Sequence, residues 1–467
     1  MMGKLSGIPA FRVVCLGVFC CSVSGAVPED DVRRHVLATM KRAATFFRER
    51  VASHGGYVYY YSMDLERRWG EGMATRDQIW VQPPGTPSVG MAFLAAYQAT
   101  GDRFYLEAAR AAAEALVYGQ LESGGWTNCI DFDPGGRVAR YRNGRGRGKN
   151  NSSLDDGQTQ SAIQFLARVD KALAFEHRTI HESAIFALNA LLAAQFPNGA
   201  FPQIWTGRVA EKPVIKADYP DYEWRTDNRV KNYWDMYTLN DNVAGNVAGA
   251  LIEALRVYEE PRCQAALSRL GDFLLLAQMP DPQPAWAQQY DYAMKPIWAR
   301  AFEPPAIASE ESQGVIETLF EIFRVTGDRK YLAPVPKALA YLKRSRLPDG
   351  RLARYYELAT NRPLYMVRRG KTYTLTHDDS DLPRHYAWKV ESRLGEIEKT
   401  LRASGRGSIP PPPAAQPSTP GNGSCGLPRI WTRRDAGSAP IGANASSGSP
   451  SSSAEPGTLR VLFFAGT

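Results

Sequence analysis

The sequence predicts a fold dominated by α-helices: an α/α toroid, or incomplete α/α barrel, of helix hairpins with short β-hairpins and long loops at its mouth. Two observations lead to this prediction, a repeat of helix pairs along the chain and aromatic-rich segments that join the pairs. A third is size, because 467 residues, of which 44% are apolar and 22% charged, can bury one large core.

The repeat of helix pairs is seen in four segments. In each, apolar residues recur at helical spacing, a short break follows, and a second helical run ends before a Gly, Pro or Asp turn. A helix over 30–53 is expected to complete a further pair. Alternating inner and outer helices then close into a toroid; an open solenoid, the alternative, usually repeats more evenly. The four segments span residues 90–126, 161–201, 246–286 and 314–352.

The segments that join the helix pairs are rich in Tyr, Trp and Phe. Examples are GGYVYYYSMD (55–64) and DYPDYEWRTDNRVKNYWDMY (218–237). Short strands such as GYVYYY and ARYYEL (353–358) are expected to form hairpins at the mouth of the barrel. Loop packing explains these rings in part, but aromatic rings with nearby charges are also typical of a sugar-binding cleft.

The two ends of the chain differ from the repeats. Residues 1–26 are expected to be a signal peptide, with basic residues before a short apolar run and small residues at its end. Residues 404–467 are rich in Pro, Ser, Gly and Ala, which predicts a disordered tail. The toroid domain therefore spans 27–403. We expect a secreted or periplasmic monomer without a membrane span.

Charge and cysteine content exclude several classes of protein. The net charge of +8 is compatible with an anionic partner. Nucleic acid is not expected, because the one basic run, RVARYRNGRGRGK (137–149), is Gly-rich and typical of a loop. Cys129, Cys263 and Cys425 are too widely spaced for a disulfide framework or a zinc site.

Polar clusters precede the inner helices of three repeats: NNSSLDDGQT (150–159), YTLNDNVAGN (237–246) and IASEESQG (307–314). In a toroid these helix starts point to the same end. Single Asp, Asn or Ser residues there are ordinary helix caps, but doubled acids at two equivalent starts are not explained by capping. Carboxylate and amide oxygens brought together favour calcium. The residues concerned are Asp155, Asp156, Asn240, Asp241, Asn242 and Glu310.

Five segments in order resemble polysaccharide lyase family 10, the α/α-toroid pectate lyases or pectic acid lyases. The resemblance covers roughly residues 85–395 and implies cleavage of an anionic polysaccharide, polygalacturonate, by calcium-assisted β-elimination with an arginine base. The segments are SLDDGQTQSAIQFLARV (153–169), PNGAFPQIW (197–205), TLNDNVAGNV (238–247), WARAFEPPAIASEES (298–312) and LPDGRLARYYELATNRPLY (347–365).

The resemblance also implies roles for single residues. Arg300 of WARAFEPP matches the catalytic base, and Asp155 and Asp241 match the acids that bind Ca²⁺. We assign Asp156 and Asn240, in the same two motifs, to substrate binding. The chain departs from the family at Asp156, where the family has Asn: the extra carboxylate would strengthen metal binding or repel a uronate.

Arginines are also candidates for binding the substrate carboxylates. The guanidinium fork of Arg351, Arg354 and Arg362 fits a uronate carboxylate, although surface salt bridges explain any one of them equally well. As a base, Arg300 must be deprotonated or pass its proton on, because its reference pKa is about 12.5–13.8. Neighbouring cations such as Lys295 and low hydration would favour this.

Two other functions fit the sequence. A glycoside hydrolase on the same toroid would use two carboxylates as acid and base, and Glu303, Glu310 and Glu311 are available. A non-catalytic glycan-binding protein is the second alternative, and Asp156 is the feature that favours it. The products separate a lyase from a hydrolase, since elimination leaves a double bond that absorbs ultraviolet light.

Overall fold

The computed structural model describes residues 29–226 and 230–405 and the strand at 458–460. The predicted signal peptide and most of the predicted tail therefore lie outside the described residues. The chain divides into two compact units, the first ending at Phe47 and the second beginning at Arg48. The described part of the first unit is helix α1, Glu29–Phe46, and Phe47, with which the π-helical turn Phe47–Val51 begins; the rest of that turn belongs to the second unit. The pairing predicted for this helix stays a prediction.

The second unit is built from the predicted helix hairpins. Helices α2, α4, α6 and α8 contact one another in succession, and each also packs against the helix that follows it. The outer helices α3, α5 and α7 contact one another in the same order. This arrangement of inner and outer helices confirms the predicted α/α toroid. The helices are α2 (Thr86–Thr100), α3 (Arg103–Tyr118), α4 (Gln158–Ala172), α5 (Arg178–Ala193), α6 (Val243–Tyr258), α7 (Pro261–Leu276), α8 (Ser309–Thr326), α9 (Val335–Arg344) and α10 (Leu394–Gly405).

The repeated Thr-Gly-Asp sequence forms the same break twice. Gly101 (φ 70°) and Gly327 (φ 71°) end α2 and α8 in the left-handed conformation, which glycine adopts without steric cost. Asp102 and Asp328 then accept a hydrogen bond from the backbone N–H two residues further on, at 2.9 and 3.0 Å. Each aspartate thus caps the next helical segment.

Glycine also lets two inner helices approach closely. Gly90 on α2 lies against the ring of Phe165 on α4, and a Cβ atom at this position would be 2.1 Å from the ring. Phe165 and its neighbour Leu166 are fully buried. Any larger residue at position 90 would therefore push α2 and α4 apart and shift the start of α4.

The strands are short and most lie in the connections between helices. They form two four-stranded sheets, ordered β16-β1-β2-β3 and β10-β12-β13-β14, and four two-stranded pairs. Strand β16 falls within the predicted tail and pairs antiparallel with β1. The strands are β1 (Tyr60–Ser62), β2 (Arg68–Trp69), β3 (Met73–Ala74), β4 (Gln78–Trp80), β5 (Cys129–Asp131), β6 (Ser152–Ser153), β7 (Ile204–Trp205), β8 (Tyr237–Thr238), β9 (Gln289–Tyr290), β10 (Ile307–Ala308), β11 (Leu352–Ala353), β12 (Tyr355–Tyr356), β13 (Pro363–Arg369), β14 (Thr372–Thr376), β15 (Lys389–Val390) and β16 (Thr458–Arg460).

Three of these strands position the starts of inner helices. Strand β10 leads directly into α8, whereas a short turn separates β6 from α4 and β8 from α6; each of the three strands is paired with another strand. The polar clusters identified in the sequence follow these strands, and contacts between α4, α6 and α8 hold the three helices side by side. Among the described residues, no helix is long and apolar enough to cross a membrane.

Candidate active site

The starts of α4 and α6 carry two equivalent turns that contact each other. Each is a single 3₁₀ turn, Asp155–Gly157 before α4 and Asn240–Asn242 before α6. The middle residues, Asp156 (φ 44°) and Asp241 (φ 52°), both have left-handed backbone, which Asp and Asn tolerate better than most residues. Asp156, not Asp155, is therefore the structural counterpart of Asp241.

The carboxyl groups of Asp155 and Asp241 lie together and interact directly. Gln203 donates from Nε2 to Asp155 Oδ1 at 2.6 Å and so holds one member of the pair. Burial raises the pKa of Asp155, and burial with the neighbouring charge of Asp155 raises the pKa of Asp241 well above its usual range. Two carboxylates in such a place ionise together only at a cost, unless a cation joins them.

Oxygen ligands for a hard cation are present in this pair of turns. Asn240 is buried, and its Oδ1 has no hydrogen-bond partner among the described residues. Together with Asp155 and Asp241 it offers two carboxylates and one amide oxygen, the ligand types that calcium prefers. Within the described residues, no three Asp, Glu, His or Cys side chains form a metal-binding group by themselves. The residues therefore fit a calcium ion that takes further ligands from substrate or water.

Arg300 lies beside this pair on a tightly hydrogen-bonded loop. Its Nη2 is 3.9 Å from Asp241 Oδ2 and 2.6 Å from Glu303 Oε1. The backbone N–H of Arg300 donates to Glu303 Oε2 at 3.0 Å, and that of Glu303 donates to the Arg300 carbonyl at 2.9 Å. The guanidinium lies 5.3 Å from the ring centre of Phe302. These contacts hold the Arg300 side chain in place. Because 36% of the side chain is exposed, a ligand can still reach it.

The charges around Arg300 differ from the sequence-based expectation. Burial lowers the pKa of Arg300, but the carboxylates of Glu303 and Asp241 outweigh it and raise that pKa well above its usual value. Lys295, expected as a neighbouring cation, instead donates to the Tyr219 carbonyl at 2.8 Å and lies 3.5 Å from Asp218. Arg300 is therefore charged in the free protein, and its immediate partners are acids.

Two of the arginines considered for substrate carboxylates already have carboxylate partners. Arg354 is 5% exposed, and its Nη2 donates to Glu311 Oε1 at 3.0 Å. Arg351 is paired with Asp349, two residues away, at 2.7 Å. A substrate would have to compete with these acids, so a direct role for either arginine stays a prediction.

Arg362 lies in a different environment, on the wall of a cavity. The cavity has a volume of about 640 Å³ and is lined also by Arg225, Trp298, Tyr373 and His377. Ala301, next to Arg300, is part of the same lining. The cavity therefore reaches the loop that carries Arg300, and Arg362 is placed to meet a ligand that extends from that loop.

The carboxylates considered for a hydrolase are each held by an arginine. Glu303 pairs with Arg300, while Glu310 and Glu311 pair with Arg393 (2.7 Å) and Arg354 (3.0 Å). Burial raises the pKa of Glu311 to about 7, but its side chain is only 2% exposed. Hydrolysis needs two carboxyl groups that face the scissile bond, and this set does not present such a pair.

Residues from distant parts of the chain complete the site, and no role was predicted for them. Gln203 holds Asp155, and Tyr386 donates its hydroxyl proton to Glu303 Oε1 at 3.2 Å. Gln82 donates to Asp156 Oδ2 at 2.9 Å. Gln203 lies within the motif PNGAFPQIW and could have been identified from it. No motif in the sequence pointed to Gln82 or Tyr386.

Asp156 titrates near neutral pH. Burial raises the pKa of Asp156 to about 7, and the charges of Asp241 and Glu71 act in the same direction. A carboxyl group whose pKa is higher in the folded than in the unfolded state stabilises the fold only while it is protonated. For Asp156 this contribution is complete below its ordinary pKa of 3.8 and is lost as the pH rises to about 7. The negative charge at position 156 therefore destabilises the fold above neutral pH.

Replacing Asp156 by asparagine is expected to stabilise the protein at high pH. In chelator at pH 8, we expect Asp156→Asn to raise the free energy of unfolding by about 1–3 kcal/mol, discounted for partial exposure. At pH 4 the difference should nearly vanish, since Asp156 is then protonated. Denaturant unfolding at both pH values measures this, with Glu66→Gln, which removes an exposed acid, as control. Equal stability of both proteins at pH 8 would contradict the assignment.

Comparison with known proteins agrees with this site. Residues 134–322 match the family described as pectic acid lyase, a stretch that holds Asp155, Asp241 and Arg300. No curated protein sequence matches the chain. The family match supports a polysaccharide lyase, so the protein is an enzyme. More particularly, it is related to the pectic acid lyases, and the resemblance to polysaccharide lyase family 10 is confirmed.

Solved structures similar to the chain include carbohydrate-active enzymes. A family 10 polysaccharide lyase from Cellvibrio cellulosa is 20% identical, with a TM-score of 0.46, and the match covers 63% of this chain and 91% of that one. A mutant of a family 10 lyase from the same organism, in complex with trigalacturonic acid, is 19% identical with a TM-score of 0.46, and the match covers 68% of this chain and 98% of that one. Cellobiose 2-epimerase from Bacillus thermoamylovorans is 15% identical with a TM-score of 0.44, and the match covers 72% of this chain and 78% of that one. At these values the likenesses say nothing about activity.

Proposed function

We propose that the protein is a pectate lyase that cleaves polygalacturonate by calcium-assisted β-elimination, with Arg300 as the base. The observation that carries the proposal is the meeting of Asp155, Asp241 and Arg300 at one place, with Arg300 Nη2 3.9 Å from Asp241 Oδ2. Helix capping alone would not require the side chains of residues 155, 241 and 300 to lie together. The match to pectic acid lyases over the same residues supports the substrate class.

Asp155, Asp241 and Asn240 Oδ1 are the residues proposed to hold calcium. When bound, calcium neutralises the uronate carboxylate and stabilises negative charge that develops next to C5. The protein prepares this function by placing two half-buried acids side by side, each with a raised pKa. Gln203 orients Asp155 through its 2.6 Å hydrogen bond, so the first acid is held before any ligand arrives.

Arg300 is proposed to take the proton from C5 of the uronate. Because Glu303 and Asp241 hold it charged, Arg300 must release a proton before it accepts one, and Glu303 Oε1 at 2.6 Å is the acceptor within reach. The alternative is that Arg300 only binds the uronate carboxylate through its charge. High pH favours the base role, because it favours release of the arginine proton.

The function is tested by following ultraviolet absorbance during incubation with polygalacturonate. We expect absorbance to rise in the presence of calcium, to stop on addition of chelator, and to resume when calcium is restored. New reducing ends without absorbance would indicate a hydrolase instead, and binding without any product would indicate a glycan-binding protein. Either result overturns the lyase proposal.

We further propose that the protein acts outside the cytoplasm, secreted or periplasmic. This proposal rests on the signal-like residues 1–26, which lie outside the described residues, and on a polymeric substrate too large to enter a cell. Detection of the full-length protein only in the cytoplasmic fraction of the producing cell would contradict it.

A further inference from the structure

A second pair of acids, Glu71 and Asp156, adjoins the first: Asp156 follows Asp155 in the chain, and the charges of Asp241 and Glu71 both act on it. Glu71 and Asp156 are joined by the amide of one glutamine: Gln82 Nε2 donates to Glu71 Oε1 at 3.1 Å and to Asp156 Oδ2 at 2.9 Å. Gln82 is 6% exposed and is itself held by Gln158, whose Nε2 donates to Gln82 Oε1 at 3.2 Å. The two carboxylates are thus fixed by buried amides.

The charges at this pair are mostly negative. Among the groups that act on Asp156, Asp241 and Glu71 are acids, and Arg300 is the cation that opposes them. Arg300 itself is engaged by Glu303 at 2.6 Å. The free carboxylate of a uronate placed against Glu71 and Asp156 would therefore be repelled, since like charges a few ångströms apart cost energy even when partly screened.

Two buried donors in this region have no partner among the described residues. The hydroxyl of Tyr59 is buried and, within the described chain, accepts or donates no hydrogen bond. It lies close enough to Glu71 and Asp156 for their charges to add to the effect of burial in raising the Tyr59 pKa. The indole N–H of Trp80, whose ring meets that of Tyr59 at 6.2 Å, also has no partner there.

The combination of acceptors and unused donors indicates which ligand fits. A cation would satisfy the carboxylates but would leave the hydrogen of the Tyr59 hydroxyl without an acceptor. A carboxylate would satisfy Tyr59 but be repelled by Glu71 and Asp156. A sugar hydroxyl does both, because it donates to a carboxylate and accepts from a phenol or indole.

We propose that Glu71, Asp156 and Tyr59 form a subsite for a sugar residue without a free carboxylate, such as a methyl-esterified uronate, bound through its ring hydroxyls. The inference rests on the proposed lyase function and deepens it, because it makes the preferred substrate a partly esterified polymer. The uronate at Arg300 keeps its charge, while the residue at this neighbouring subsite has none. Asp156 is then a specificity-determining residue.

The test compares two substrates and reports a ratio. For wild type, Asp156→Asn and Glu71→Gln, kcat/KM is measured on polygalacturonate and on the same polymer esterified at about one third of its carboxyl groups. We expect the ratio of esterified to free substrate to fall about tenfold in each variant, the worth of one repulsive charge near a surface. Glu66→Gln, an exposed acid on the β1–β2 connection, is the matched control and should keep the wild-type ratio.

The possible outcomes are distinct. Ratios that stay unchanged in both variants would overturn the subsite, as would a higher calcium requirement in Asp156→Asn at an unchanged ratio, which would make the pair a cation site. If neither polymer yields unsaturated product, the lyase proposal fails. The subsite is then judged by affinity alone, from the retardation of each protein in gels that contain either polymer; equal shifts in the wild type and Asp156→Asn would overturn it.

Discussion

Replacing Arg300 by lysine is expected to lower turnover on polygalacturonate by about 10²–10⁴-fold, the usual contribution of a positioned base. KM and the melting temperature should change little. Lysine keeps the positive charge and can still pair with Glu303, which lies 2.6 Å from the guanidinium in the wild type. Lysine lacks the planar guanidinium group, in which one terminal nitrogen can pair with a carboxylate while the other stays free for a ligand.

The same substitution separates the base role from a purely ionic role. If Arg300 only attracted the uronate carboxylate, or only held its loop, lysine would keep most of the rate or lower stability first. Initial rates by ultraviolet absorbance and thermal unfolding of the same preparations decide this. Arg110→Lys is a suitable control, because it alters an arginine paired with Glu107 and Glu114 on the surface of α3. A stable Arg300→Lys protein with near wild-type elimination would end the base assignment.

Replacing Asp241 by asparagine is expected to lower kcat/KM by about 10²–10³-fold at saturating calcium, the usual cost of losing one electrostatic contact to the transition state. Asparagine tolerates the left-handed backbone at this position (φ 52°), so the turn should keep its shape. In chelator, stability should rise at pH values above the raised pKa of Asp241, where its half-buried carboxyl would be ionised beside Asp155; below that pKa, where Asp241 is protonated, asparagine should change stability little.

The opposite signs of these two effects make the Asp241 experiment informative. Loss of activity together with a higher melting temperature indicates a residue kept for function at a cost in stability. A lower melting temperature would indicate instead that Asp241 holds the turn. Asp133→Asn, in an exposed loop, controls for the loss of a negative charge. Wild-type rates for Asp241→Asn at every calcium concentration would contradict a metal-binding role.

The repeat of helix hairpins and the ends of several helices could be predicted from the sequence alone. Helical periodicity and capping depend on residues within one or two turns of each other, so they can be read locally. The breaks at Gly101-Asp102 and Gly327-Asp328 are examples. The polar clusters before α4, α6 and α8 were also evident, because a repeated fold places repeated segments at equivalent positions.

Which of these polar residues act together could not be predicted in this way, because it depends on the tertiary fold. Gln82 and Asp156 are 74 residues apart, and Glu303 and Tyr386 are 83 apart, and no local pattern connects them. The structure also buries Arg354 against Glu311 and surrounds Arg300 with acids, which reverses the expected charge of its neighbourhood. Burial and long-range pairing set these pKa values and partners, and both arise only when the helices have closed around the site.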